Sequence, residues 1–204
     1  AVTAAEAVQH LPARLLGAIS LTETGRPDPR TGAFRPWPWS INAEGVGQFF
    51  ASAQDAIDAV KSLQDKGVQS IDVGCMQVNL MYHPNAFASL EDAFDPRKNA
   101  LYAAHFLNAL YTEGKDWAHA IAAYHSETPA LGEPYLALVL ARWQNPDVPV
   151  AHATAPIKRA TYGDFAAAKD VYNAFAPPQR VYGAFTPGPN SQLVIGTATA
   201  GPQH

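Results

Sequence analysis

The residues from Leu15 to Gly25, LLGAISLTETG, set one acidic side chain among apolar ones. Leu15, Ile19 and Glu23 follow one another at four-residue steps, so on a helix they share the face that a core would take. The pattern directs Glu23 inward. Gly25 reads as a left-handed cap just past the helix, which puts Glu23 in the last turn beside the negative end of the helix dipole. Burial and the dipole both disfavour an ionised carboxylate. An acid kept protonated near neutral pH is able to donate its proton to a leaving group. The alternative is a solvated Glu at a frayed helix end, and this segment alone does not choose between them.

Three separated pieces carry side chains that could share a cleft: Glu23 with Thr24, the loop GCMQVN from Gly74 to Asn79, and Ala123-Tyr124-His125. Trp37 and Trp39 are large for a small Pro-rich hairpin to hide, so they read either as sugar-stacking indoles or as core. Cys75 is the only cysteine, which excludes an internal disulfide, and it reads as a small buried hydrophobe rather than a reactive thiol. His119 and His125 lack the four-residue spacing of HExxH and Glu127 is badly placed for zinc, so neither a metal nor a cofactor is expected.

The elements that must hold these residues are mostly helical. Ala4 to Gln9 makes a first short helix, and Pro12 suits the first turn of a second that runs to Glu23. WSIN, the turn AEG and VGQFF read as a hairpin, which Val68 to Val73 can join, giving at most three short strands. Ser52 caps a helix that Gly67 closes. Asp95-Pro96 opens a longer helix to Gly114, and Asp116 caps another with Trp117, Ile121 and Tyr124 on one face. Pro134 opens a last helix, Tyr135 to Gln144. The expected fold class is mainly α with a small antiparallel sheet.

Over its 204 residues the chain is only 16% charged and carries a net charge of -4, with no basic run. That balance excludes a nucleic-acid binder and fits an uncharged polymer better than a polyanion. No run is long and apolar enough to span a membrane, and the start at Ala1 fits a mature or trimmed form, compatible with export. The expected domain covers residues 1–146. Residues 147–204 turn to Ala, Pro, Gly and Thr and read as a low-complexity tail. Within it Tyr162 to Phe165, Tyr172 to Phe175 and Tyr182 to Phe185 repeat a Tyr-x-x-Phe unit every ten residues, which suggests docking onto this domain or onto a partner.

Taken in order, these motifs resemble the soluble lytic transglycosylases of the goose-type lysozyme-like group, which cleave bacterial peptidoglycan. That family shows Glu-Ser at a helix end, then Gly-Leu-Met-Gln, then Ala-Tyr-Asn, then a Tyr on a following helix. Glu23-Thr24 matches with Thr for Ser, Gly74 to Gln77 with Cys for Leu, and Ala123-Tyr124-His125 with His for Asn. Tyr135 stands at the fourth position, although Leu131-Gly132 replaces the Glu-Thr that usually leads it. The resemblance covers residues 12–144, and WPWSIN and SIDVGCMQVNL look like the proteobacterial subset.

The resemblance implies a lysozyme-like helical domain and a one-carboxylate mechanism. Glu23 would protonate the glycosidic oxygen, the substrate's N-acetyl group would stabilise the cation, and the ionised Glu23 would then deprotonate the 6-hydroxyl to close a 1,6-anhydro ring. Tyr124 would hydrogen-bond the carboxyl or the N-acetyl group, Met76 and Gln77 would line the sugar floor, Asn79 would lend an amide, and Thr24 its hydroxyl. His125 and Tyr135 join the expected substrate contacts. It also implies a periplasmic enzyme with a peptidoglycan strand as substrate and, through the tail, a secretion or flagellar partner. Two alternatives stand beside it. Asp72, two residues before Gly74, would make the enzyme a hydrolytic muramidase if it reached the Glu23 cleft. The Thr, Cys and His departures would fit a wall-binding scaffold that has lost turnover.

Overall fold

The computed structural model describes residues 1–145, so the Tyr-x-x-Phe units and the segment 147–204 lie outside the described residues. Among the described residues there are seven helices and six short strands, in the order α1 (Val2–Val8), α2 (Leu15–Thr24), β1 (Gly25–Pro27), β2 (Phe34–Pro36), β3 (Ser40–Ala43), β4 (Val46–Phe49), α3 (Ala53–Asp65), β5 (Ile71–Val73), β6 (Val78–Asn79), α4 (Leu90–Phe94), α5 (Pro96–Gly114), α6 (Trp117–His125) and α7 (Pro129–Gln144). The fold is mainly α with small antiparallel sheets, as the sequence leads one to expect. No described helix is long and apolar enough to cross a membrane.

Several boundaries follow from local chemistry. Ser52 accepts the Asp55 backbone N–H to start α3, and Asp95 accepts those of Arg97 and Lys98 to start α5, with Pro96 in the first turn. Asp116 does the same for α6. The β3–β4 hairpin turns on Glu44 and Gly45, both at positive φ.

Other expectations are corrected. Helix α2 begins at Leu15 rather than at Pro12, because Arg14 takes a left-handed conformation. No side chain caps α2 from Arg14; instead the buried Glu6 reaches across from α1 and accepts the Gly17 N–H at 3.0 Å. Gly25 is not a left-handed cap: its φ of -60° and ψ of 128° carry the chain straight into β1. It is glycine for lack of space, since a Cβ there would stand 2.6 Å from the Phe34 ring and closer still to the Leu21 carbonyl. Helix α7 begins at Pro129, which leaves Pro134 inside the helix rather than at its start.

The sheet is also larger than the three strands expected. A four-stranded sheet runs β4-β3-β5-β6, and β1 pairs with β2 as a separate ribbon. Asp28 builds that ribbon's turn: its carboxylate accepts the Arg30 N–H at 2.7 Å and pairs with Arg35.

Two apolar cores result. One gathers Leu15, Ile19, Met76, Leu107, Ile121 and Tyr135 between the helices, and the other gathers Ile41, Val60, Ile71 and Phe94 between the sheet, α3 and α4. The chain crosses from the second core to the first at Gly74, and the candidate site lies at that seam.

Candidate active site

Helix α2 delivers Glu23 and Thr24 to the seam in its last turn. Burying Leu15, Leu16 and Ile19 completely anchors that helix, at about 1.5–3 kcal/mol for each side chain. Glu23 itself is only half-buried. Its Oε1 accepts the Tyr135 hydroxyl of α7 at 2.7 Å, and Tyr135 is 0% exposed. The His125 ring, at the end of α6, stacks on Tyr135 with centroids 4.6 Å apart and planes within 8°. A column of His125, Tyr135 and Glu23, with Tyr135 buried at its middle, therefore joins three helices.

That column depends on a close approach of α6 and α7. A Cβ at Gly132 would fall 2.5 Å from the Ser126 carbonyl and 3.1 Å from that of Ala122. Leu131-Gly132, which departs from the family pattern, is thus what lets α7 lie against the end of α6.

Thr24 points the other way and is 2% exposed. Its hydroxyl donates to the Cys75 carbonyl at 3.0 Å and accepts the Trp37 backbone N–H at 3.2 Å. One side chain thus ties the end of α2 to the 74–77 turn and to the segment before β3. Tyr124 of α6 adds a second tie by donating to the Met76 carbonyl at 2.9 Å.

The 74–77 turn is held from within as well. Gly74 has a φ of +79°, and a Cβ there would come within 2.5 Å of the Asn99 amide carbon. Asn99, wholly buried on α5, accepts the Met76 N–H at 2.9 Å and donates to the carbonyls of Val73 at 3.1 Å and Ala93 at 3.0 Å. One amide satisfies three backbone groups that would otherwise be buried without partners. Gln77, at a φ of 51°, donates to the Gly74 carbonyl at 2.9 Å.

The structure gathers Glu23, Thr24, the 74–77 turn, Tyr124, His125 and Tyr135, and it revises what several of them can touch. Met76 is 0% exposed in the helical core, so its side chain does not line a sugar floor. Tyr135 is also 0% exposed and is a positioning residue for Glu23 rather than a substrate contact. Asn79 is engaged elsewhere, its amide donating to Asp72 at 2.9 Å and its carbonyl oxygen accepting the Met81 N–H at 3.0 Å. Asp72 and Asn79 face each other across the β5–β6 pair.

Trp37 and Trp39 meet edge to face at 6.1 Å and line a cavity of about 540 Å³ together with Gly17, Ser20 and Leu21 of α2. The Trp37 indole N–H is fixed by the Phe50 carbonyl at 2.7 Å. Cys75 is buried, and burial pushes its thiol up to about 12, the behaviour of an inert core cysteine. No group of His, Cys, Asp and Glu able to hold a metal occurs among the described residues.

Asn99 was not singled out from the sequence. The signal was there in weak form: a polar residue in line with Ala103, Phe106 and Leu110 on the buried stripe of α5.

With this geometry in view, the class is that of a mainly α domain with a small antiparallel sheet and a carboxylate at the seam of its two cores. Residues 51–133 match the family model described as the Transglycosylase SLT domain, a match consistent with the soluble lytic transglycosylase family. The matched stretch includes the 74–77 turn and Ala123 to His125; Glu23, Trp37, Trp39 and Tyr135 lie outside it. No curated protein and no solved structure matches the chain. The domain supports a function of the lytic transglycosylase type, with peptidoglycan as the implied substrate.

Proposed function

We propose that the protein is a periplasmic lytic transglycosylase that cleaves the β-1,4 bond between MurNAc and GlcNAc without water and leaves a 1,6-anhydro-muramyl end. The observation that carries this reading is the 2.7 Å bond from a fully buried Tyr135 hydroxyl to Oε1 of Glu23, at the end of a helix tied to the SLT-type turn. Glu23 gives its proton to the glycosidic oxygen as the bond breaks, and the N-acetyl carbonyl of the same sugar supports the cationic carbon. As Glu23 becomes anionic, the Tyr135 O–H donates to the growing charge and holds the carboxylate in one orientation. The carboxylate then takes the proton of the 6-hydroxyl, whose oxygen closes on the anomeric carbon. The proton count returns to its starting point.

Gln77 and His125 complete the site beside Glu23, the buried Thr24 ties the end of α2 to the 74–77 turn, and Trp37 and Trp39 offer indole surface along the cavity on the flank of α2. Asp72 is held by the Asn79 amide, so the hydrolytic reading gains no support from the structure. The segment 147–204 serves as a tether to a secretion or flagellar partner.

Mass spectrometry of soluble products from purified peptidoglycan, with Glu23→Gln alongside, tests this. Anhydro-muropeptides from the wild type alone are expected. Products heavier by one water would make the protein a muramidase, and binding with no release by either protein would make it a scaffold.

A further inference from the structure

Arg26 lies three residues past Glu23, on β1, within about 11 Å along the chain. Its guanidinium carbon stands 4.9 Å from the centroid of the Trp37 ring and 4.7 Å from that of Phe49. Two aromatic rings therefore contact it, one from the segment before β3 and one from the exposed edge strand β4. Among the described residues the guanidinium forms neither an ion pair nor a hydrogen bond.

This is unlike its cross-strand neighbour. Arg35 pairs in register with Arg26 and is matched by the buried Asp28. From Gly25 to Pro36 the chain carries Arg26, Arg30 and Arg35 against Asp28 alone, so this ribbon is positive in a protein of net charge -4. A guanidinium held by aromatic rings keeps its N–H groups in its own plane, where they match the two oxygens of a carboxylate. One ring is itself fixed, Trp37 by its bonds to Thr24 and Phe50, which lowers the ordering cost of binding.

We propose that Arg26 is a specificity residue that binds a carboxylate on the muramyl side chain of the substrate, the lactyl group continued into its stem peptide. The inference rests on the peptidoglycan reading above and extends it: the glycan backbone is uncharged, and Arg26 reads the acidic branch beside the bond that Glu23 cleaves. Rim charges of this kind act through charge-assisted hydrogen bonds and respond to salt.

The test compares kcat/KM on soluble peptide-bearing glycan strands with the same strands after their carboxylates are converted to amides. The wild type is expected to favour the free carboxylates about tenfold. Arg26→Met keeps the aliphatic stem between the rings and is expected to bring that ratio to about one, with Arg26→Lys between the two. Should Arg26→Met fail to fold, the wild type's preference must shrink between low salt and half-molar salt. A wild-type ratio near one, a preference that ignores salt, or an Arg26→Met variant that slows both substrates alike and keeps the ratio would each overturn the inference. Equal cleavage of both substrates removes only the role of Arg26. Failure to produce anhydro ends from either removes the transglycosylase reading and this inference with it.

Discussion

Tyr135→Phe removes one oxygen from the column of His125, Tyr135 and Glu23 and leaves the rest in place. Phenylalanine fills the same ring volume, keeps the stack with His125 and lies between the same helices, so no cavity larger than the lost hydroxyl is opened. What is lost is the 2.7 Å bond to Oε1 of Glu23. A hydrogen bond to a charged group contributes about 1.5–3 kcal/mol, and Glu23 is half-buried, so the lower half of that range applies. Because the bond strengthens as Glu23 gives up its proton, the loss falls on the transition state, and kcat should drop about tenfold to fortyfold. Tyr135 is 0% exposed and cannot touch the glycan, so KM should change by less than about twofold. The assay is the initial rate of anhydro-muropeptide release against substrate concentration, with the melting temperature of the variant beside it. An unchanged kcat, or a raised KM at constant kcat, would refute the positioning role.

Asn99→Ala should destabilise the domain by about 3–5 kcal/mol in urea titration, since it leaves a buried N–H and two carbonyls without their partner and opens a cavity. Gly25→Ala should lower stability by about 2 kcal/mol or more, because Phe34 must give way where α2 becomes β1; unchanged melting would show that β2 yields freely. Burial lowers the His83 imidazole from 6.5 to about 4, and Nδ1 lies 2.8 Å from the Tyr102 hydroxyl. Its neutral form is the one the fold favours, so the stability it confers is present above pH 6.5 and is lost as pH falls toward 4. The ring keeps some solvent contact, so the loss should be about 1–3 kcal/mol, and His83→Gln should flatten the urea midpoint across that interval. Cys75, buried with its thiol pushed up to about 12, should resist iodoacetamide at pH 8 in the folded protein and react once unfolded.

The sequence by itself determined what depends on neighbours along the chain. Ser52, Asp95 and Asp116 announce their helices because a cap acts within three residues, and AEG announces its hairpin because the turn does. The apolar steps Leu15, Ile19 and Glu23 placed the carboxylate at the end of α2, and the order of short motifs pointed to the SLT domain. Tertiary contacts decided the rest. Gly25 and Gly132 are small because another chain segment passes close by, a constraint that the local sequence does not carry and that had made Gly25 look like a cap. Strands β1, β2 and β6 are too short to show a period and exist through their partners and the Asp28 turn. That the Tyr135 hydroxyl would donate to Glu23 could not be read from two tyrosines in similar helical settings. Packing brings the Tyr135 hydroxyl to the carboxylate, because Gly132 lets α7 settle against the end of α6, and Tyr124 donates to the Met76 carbonyl.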